Sequence, residues 1–206
     1  MTESDLGFTH RFVRGQGPAT LLLLHGTGAN ENDLLPLGRA LLPDAHMLSP
    51  RGKVLEYGMP RFFRRLAEGV FDVDDLVART HELADFVDRA AKEYDLDPSR
   101  IVAVGYSNGA NIAGSLLLLH PGVITRAVLL RAMLPFEPDQ PLDLTGTRVL
   151  ISSGREDQMT PAESPTRLEE VLRASGADVE LRWQPAGHEV SQEDIEIASR
   201  WLTEPG

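Results

Sequence analysis

Short apolar runs alternate along this chain with longer stretches in which apolar residues recur at three- and four-residue steps. Phe8 to Arg14 and Ala19 to Leu24 read as strands joined by the turn Gly15 to Pro18. Glu31 to Leu42 reads as a helix and Ala45 to Ser49 as a strand. The clearest helix is Asp72 to Tyr94, where Val73, Leu76, Val77, Leu83, Ala84, Val87, Ala90, Ala91 and Tyr94 form one apolar stripe. Pro98 ends it, because proline disfavours helix at the residue before it. Ile101 to Val104, Arg126 to Leu130, Arg148 to Ser152 and Val179 to Trp183 then read as strands, and Asn108 to Leu119, Ser164 to Ser175 and Ser191 to Leu202 as helices. Ser191 and Asp194 have the spacing of a capping box. Two stretches fit neither period, Ser49 to Phe71 and Ala132 to Thr147, and read as long connections of the kind that carry function.

Apolar strands alternating with helices predict an α/β fold with a mostly parallel sheet covered on both faces. Right-handed crossovers make it doubly wound, and ligands bind beyond the carboxyl ends of its strands. The 206 residues read as one domain, 1–206, with no insertion long enough for a cap domain.

Composition removes several classes. The 20 Lys+Arg against 31 Asp+Glu leave a net charge of −11, which repels phosphate backbones and argues against nucleic-acid binding. With no cysteine there is no disulfide framework, thiolate nucleophile or cysteine metal site. The longest apolar runs, such as Leu21 to Leu24, are four residues, far short of the roughly 20 a membrane span needs. Met1 to Asp5 is acidic with no apolar segment behind it, so it does not read as a secretory signal and the chain is expected in the cytoplasm.

Gly105-Tyr106-Ser107-Asn108-Gly109 follows a predicted strand and opens a predicted helix, the context of a nucleophile elbow. A serine hydroxyl needs a base. Of the six histidines, His188 alone follows the last strand at the sheet's carboxyl edge; His10, His46, His81 and His120 read as packing or surface residues. The acid should lie between serine and histidine in chain order. Asp157, in the turn after the strand Arg148 to Ser152, is the choice, with its neighbour Glu156 as the alternative. An oxyanion hole needs preorganised N–H donors. Asn108, after the nucleophile, supplies one, and Thr27, between Gly26 and Gly28 at the end of an early strand, supplies the other, with His25 bracing the loop.

Leu24 to Asp33, Gly105 to Ala113, Gly154-x-x-Asp157 and Gly187-His188 together resemble the phospholipase/carboxylesterase family of α/β-hydrolases, in particular its small bacterial carboxylesterases and acyl-protein-thioesterase-like members. The resemblance covers roughly Phe8 to Leu202. It implies the α/β-hydrolase fold, Ser107 as nucleophile, Asp157 and His188 as its partners, Thr27 and Asn108 as oxyanion donors, and no metal or organic cofactor. It also suggests a homodimer. The related dienelactone hydrolases use a cysteine, which this chain lacks.

The expected activity is that of a serine carboxylesterase acting on small-molecule esters of short to medium acyl chains through an acyl-enzyme. Thioester or lysophospholipid hydrolysis would use the same triad. A peptidase would too, although peptidases usually carry substrate-gating structure that this length does not provide. A non-catalytic binding module would typically lack a triad member, and none is missing. Tyr57, Met59, Phe62, Phe63 and Phe71 on the first long connection, and Met133, Leu134 and Phe136 on the second, are candidate acyl-pocket residues, with core packing as the alternative. Arg51, Arg61, Arg64 and Arg65 stand out against the acidic background, either as salt-bridged surface or as a means of steering an anion.

Overall fold

The computed structural model describes residues 6–140 and 142–204. The reading of Met1 to Asp5 as no secretory signal lies outside the described residues. A seven-stranded sheet carries β1 (His10–Val13), β2 (Thr20–Leu24), β3 (His46–Pro50), β8 (Ile101–Tyr106), β9 (Arg126–Leu130), β10 (Arg148–Gly154) and β11 (Asp178–Gln184) in the order β1-β3-β2-β8-β9-β10-β11. The last six strands run parallel and only β1, at one edge, is antiparallel. Parallel strands buried on both faces should be apolar throughout. In β2, Leu22 and Leu24 point into one core and Leu21 and Leu23 into the other, all with zero exposure. Each is worth roughly 2 kcal/mol of burial.

The helices α2 (Val73–Glu93), α3 (Asn108–Leu119) and α4 (Glu163–Ala174) bury Leu76, Ile112 and Leu168 in the first core. Two others, α1 (Leu35–Leu41) and α5 (Gln192–Thr203), cover the opposite face through Leu41, Ala198 and Trp201. This is the doubly wound α/β-hydrolase arrangement. The capping box of α5 forms in both directions: Ser191 Oγ accepts from the Asp194 N–H, and Asp194 accepts from the Ser191 N–H.

Two expectations need correction. The first helix begins at Leu35, not Glu31, because the Asn30 side chain accepts from the Asn32 N–H and Asp33 from the Asn30 N–H. Such side-chain turns compete with helix, and Pro36 then opens it. The connection Ser49 to Phe71 is not irregular throughout. It folds into two hairpins, β4 (Val54–Glu56) with β5 (Met59–Arg61), and β6 (Arg65–Ala67) with β7 (Val70–Phe71). Both hairpins flank the carboxyl end of the sheet. Among the described residues, no helix is long and apolar enough to cross a membrane.

Candidate active site

A single residue turns the chain from β8 into α3. Ser107 has φ 52 and ψ −115, a conformation that costs a non-glycine residue of order 1–3 kcal/mol. It is held there by its own N–H on the Leu130 carbonyl at 2.9 Å and by the Asn111 N–H on its carbonyl at 3.0 Å. Sterics dictate the flanking glycines. A Cβ on Gly105 would lie 2.6 Å from Ala110 Cα, and one on Gly109 only 1.9 Å from the Leu24 carbonyl oxygen. The turn therefore requires glycine on both sides, and it leaves the Ser107 hydroxyl at the helix N-terminus.

His188, beyond the end of β11, reaches that hydroxyl, and Asp157, beyond the end of β10, reaches His188. His188 Nε2 lies 2.9 Å from Ser107 Oγ, and Nδ1 lies 2.8 Å from Asp157 Oδ2. A carboxylate can only accept, so Nδ1 carries the proton and Nε2 is free to accept from the serine. The Asp157 side chain is 1% exposed, and its Oδ1 accepts the Met159 and Thr160 N–H groups at 2.8 and 3.1 Å. Burial raises its pKa, but the hydrogen bonds from His188, Met159 and Thr160 outweigh that and hold the carboxyl below its ordinary range. Glu156, the alternative acid, is exposed.

The loop that carries His188 is tied down from several sides. The loop after β10 runs against it, with the Arg155 N–H on Gln184 O at 2.8 Å and the Glu156 N–H on Ala186 O at 3.0 Å. Gly154 permits this approach: a Cβ there would lie 2.2 Å from the Gly187 oxygen. Tyr106 Oη donates to the His188 carbonyl at 3.1 Å. Beneath lies Arg131, whose Nε donates to Gly187 O at 2.9 Å and Nη2 to Glu189 O at 2.6 Å. Arg131 also forms a bidentate pair with Asp194, at 3.0 and 2.7 Å, and both side chains have zero exposure. Sequence reasoning missed Arg131. An arginine directly after the apolar strand Arg126 to Leu130, at the sheet's carboxyl edge, was the available signal.

Neither the Thr27 nor the Asn108 backbone N–H takes an acceptor among the described residues, and both residues line the pocket beside Ser107. Three consecutive residues at the end of the first hairpin, two in β5 and one just after it, brace these two turns. Pro60 O accepts the Gly28 N–H at 2.9 Å, Arg61 Nη1 donates to Thr27 Oγ1 at 2.9 Å, and the Phe62 N–H donates to Asn108 Oδ1 at 2.7 Å. His25 braces the same loop, its Nδ1 donating to Gly26 O at 2.7 Å and its Nε2 accepting the Gly52 N–H at 3.0 Å. Burial lowers its pKa, so it stays neutral in that role.

The pocket is small, about 50 Å³, with Phe71, Met133 and Met159 as its apolar wall. Of the eight candidate acyl-pocket residues, Phe71 and Met133 lie on that wall. Phe62 and Phe63 are core residues, 2% and 0% exposed, with Phe62 against His25 and Phe63 edge-on to Phe71. Phe62 serves the site through its backbone N–H, not its ring. Leu134 and Phe136 pack partly buried on the core. Met59 covers the outer side of the Gly28 loop, its Sδ 3.5 Å from where a Gly28 Cβ would stand. Met159, which also lines the pocket, was not among the candidates, and Tyr57, which was, stands exposed on the turn of the first hairpin. The remaining histidines stand apart: His10 bonds Tyr94, His46 accepts from the Gly15 N–H, and His81 and His120 bond each other.

A model of the phospholipase/carboxylesterase family matches residues 14–204. MhqD of Bacillus subtilis (strain 168), named as a hydrolase, is 49% identical over 195 residues, 95% of this chain and 98% of its own length. A carboxylesterase from Bacillus cereus superposes with a TM-score of 0.94 at 46% identity, covering 97% of this chain and 95% of that one. A carboxylesterase from Mesorhizobium loti gives 0.93 at 35% identity, covering 98% of both. Matches of this extent take in every strand end that contributes to the pocket. The chain belongs to the phospholipase/carboxylesterase family of α/β-hydrolases and is a hydrolase of that type.

Proposed function

We propose that this chain is a serine carboxylesterase that hydrolyses short to medium acyl esters within a single domain, with Ser107 as nucleophile, His188 as base and Asp157 as its orienting acid. The observation that carries the reading is the unbroken relay from Ser107 Oγ to His188 Nε2 and from Nδ1 to Asp157, at 2.9 and 2.8 Å. As Oγ bonds the ester carbonyl carbon, its proton passes to Nε2 and the carbonyl oxygen takes up negative charge. The Thr27 and Asn108 N–H groups meet that charge. Collapse breaks the bond to the alcohol oxygen, which leaves with the proton from Nε2. Water then attacks the acyl-enzyme, gives a proton to Nε2, and the acid departs as Ser107 regains its hydrogen. Asp157, held ionised, stabilises the imidazolium formed in each half.

The small pocket and its wall of Phe71, Met133 and Met159 support a short acyl group, with longer chains running out past the half-exposed Met159. The test is hydrolysis of p-nitrophenyl esters from acetate to laurate by wild type and Ser107→Ala. The expected result is activity weighted to the short end of the series and lost in the variant. Activity that survives Ser107→Ala, or none on any chain length, overturns the proposal.

A further inference from the structure

The four arginines between Ser49 and Phe71 fall into two kinds. Arg51 makes a bidentate pair with Glu31 at 2.5 and 2.7 Å, and Arg64 meets Asp72 at 2.9 Å and Asp75 at 3.7 Å. Each has carboxylates of its own, and neither lines the pocket. Arg61 and Arg65 both line the Ser107 pocket, and they share one carboxylate. Glu56 Oε2 takes Arg61 Nη1 at 3.1 Å, and Oε1 takes Arg65 Nε at 3.0 Å.

Two guanidiniums on one carboxylate leave a cation unmatched, and Arg61 is an unusual place for it. Its side chain is only 4% exposed. Its Nε donates to Phe63 O at 3.1 Å and its Nη1 to Thr27 and Glu56, while Nη2 has no partner among the described residues. The terminal nitrogens of Arg65 have none either. A charge withdrawn from water costs several kcal/mol unless it is matched. Glu68 also lines the pocket, but it is exposed on the second hairpin's turn and pairs with neither arginine, so water screens it. The other charges there are already matched, Arg131 by Asp194 and Asp157 by His188.

We propose that the Ser107 pocket takes esters bearing an anionic group, typically a carboxylate, close to the scissile carbonyl, with Arg61 Nη2 and Arg65 as its donors. The inference rests on reading Ser107 as the nucleophile. A planar guanidinium presents donors in a fixed fork that suits a carboxylate. The anion can belong to the acyl or the alcohol part of the ester, and two substrate pairs separate these cases. Monoethyl succinate against ethyl butyrate places a carboxylate for a methyl on the acyl side, and acetoxyacetate against ethyl acetate does so on the alcohol side.

The readout is the ratio of kcat/KM, anionic over neutral, each corrected for the ester's own rate with hydroxide. In wild type one pair gives a ratio of about ten, which corresponds to ~1.4 kcal/mol. Arg65→Gln brings that ratio down toward one, and Glu68→Gln raises it. Arg61 is left intact because its loss would also release Thr27. A ratio of one or less for both pairs in wild type, or a preference unchanged in Arg65→Gln, overturns the inference while leaving the nucleophile reading in place. Hydrolysis that survives Ser107→Ala overturns that reading, and the inference with it.

Discussion

Replacing Arg131 by methionine tests the buried support beneath the His188 loop. The substitution keeps an apolar stem out to the level of the arginine Nε but removes five hydrogen bonds: two to Asp194 and three to the carbonyls of Gly187, Ser152 and Glu189. Removing one member of a buried ion pair costs about 3–5 kcal/mol. Asp194 keeps Ser152 Oγ at 2.5 Å and the Ser191 N–H and Oγ at 2.7 Å, which favours the lower end. The Gly187 and Glu189 carbonyls each lose a donor worth about 1 kcal/mol. A net cost of about 5 kcal/mol follows, or roughly 10–20 °C in Tm for a chain of this size.

The cost should depend on pH in a defined sense. Burial raises the Asp194 pKa, but hydrogen bonds from Arg131, Ser152 and Ser191 outweigh it and hold the carboxyl below 3.8. A carboxyl depressed in the folded state contributes stability that is full above its unfolded pKa and lost as pH falls through the folded one. Without Arg131 the burial is less opposed, and the Asp194 pKa rises. The deficit of Arg131→Met is then largest at pH 7 and shrinks toward pH 4. Urea melts of both proteins at pH 7 and 4.5 measure it, and Arg131→Met with Asp194→Leu should recover part of the loss by removing the orphaned carboxylate. A deficit below about 1 kcal/mol, or one equal at the two pH values, would refute the reasoning.

The other predictions concern the relay and the elbow. Asp157→Asn should leave the fold intact and lower kcat about 10⁴-fold, because the amide no longer selects the Nδ1–H tautomer of His188; steady-state kinetics showing less than a tenfold loss would remove Asp157 from the relay. Gly109→Ala drives a Cβ to 1.9 Å from the Leu24 carbonyl oxygen, a backbone atom that cannot rotate away, and should cost about 3 kcal/mol or more in thermal or urea unfolding. Gly114→Ala, on the same helix but 3.7 Å from Pro135 Cδ, is its control and should gain about 0.5–1 kcal/mol.

The features that sequence reasoning reached are those whose causes are local. The strands β2, β8, β9 and β10 are apolar because they are covered on both faces, and each such run places its carboxyl end on the same sheet edge. That is why Ser107, Asp157 and His188, separated by 50 and 31 residues, could be assigned to one site from three strand ends. The hairpins were hidden because strands of two or three residues are too short to show a period. Their apolar positions also mislead: Leu55, Leu66 and Val70 are exposed while the adjacent Phe62 and Phe63 are both buried. Asp194 was legible as a cap, but its pairing with Arg131 spans 63 residues and comes from packing alone.

The hairpin connection does for this site what a single turn of backbone could not. The Thr27 turn follows β2 and the Asn108 helix N-terminus follows β8, strands paired in the sheet up to Leu24 and Gly105, and the hairpin connection ties the two turns together a second time. Pro60, Arg61 and Phe62 bond one after another to Gly28, Thr27 and Asn108, so the end of β5 and the residue after it brace both proposed donors. Arg61 suits this position in a way lysine would not. Its Nε is spent on Phe63 O and its Nη1 on Thr27 and Glu56, which leaves Nη2 directed away from both by the planarity of the group. An anion bound at Nη2 would leave the Thr27 bond unbroken, so the proposed recognition of substrate charge would not disturb the proposed carbonyl donors. A lysine has three donors on one nitrogen, too few for the Phe63, Thr27 and Glu56 acceptors and an anion together.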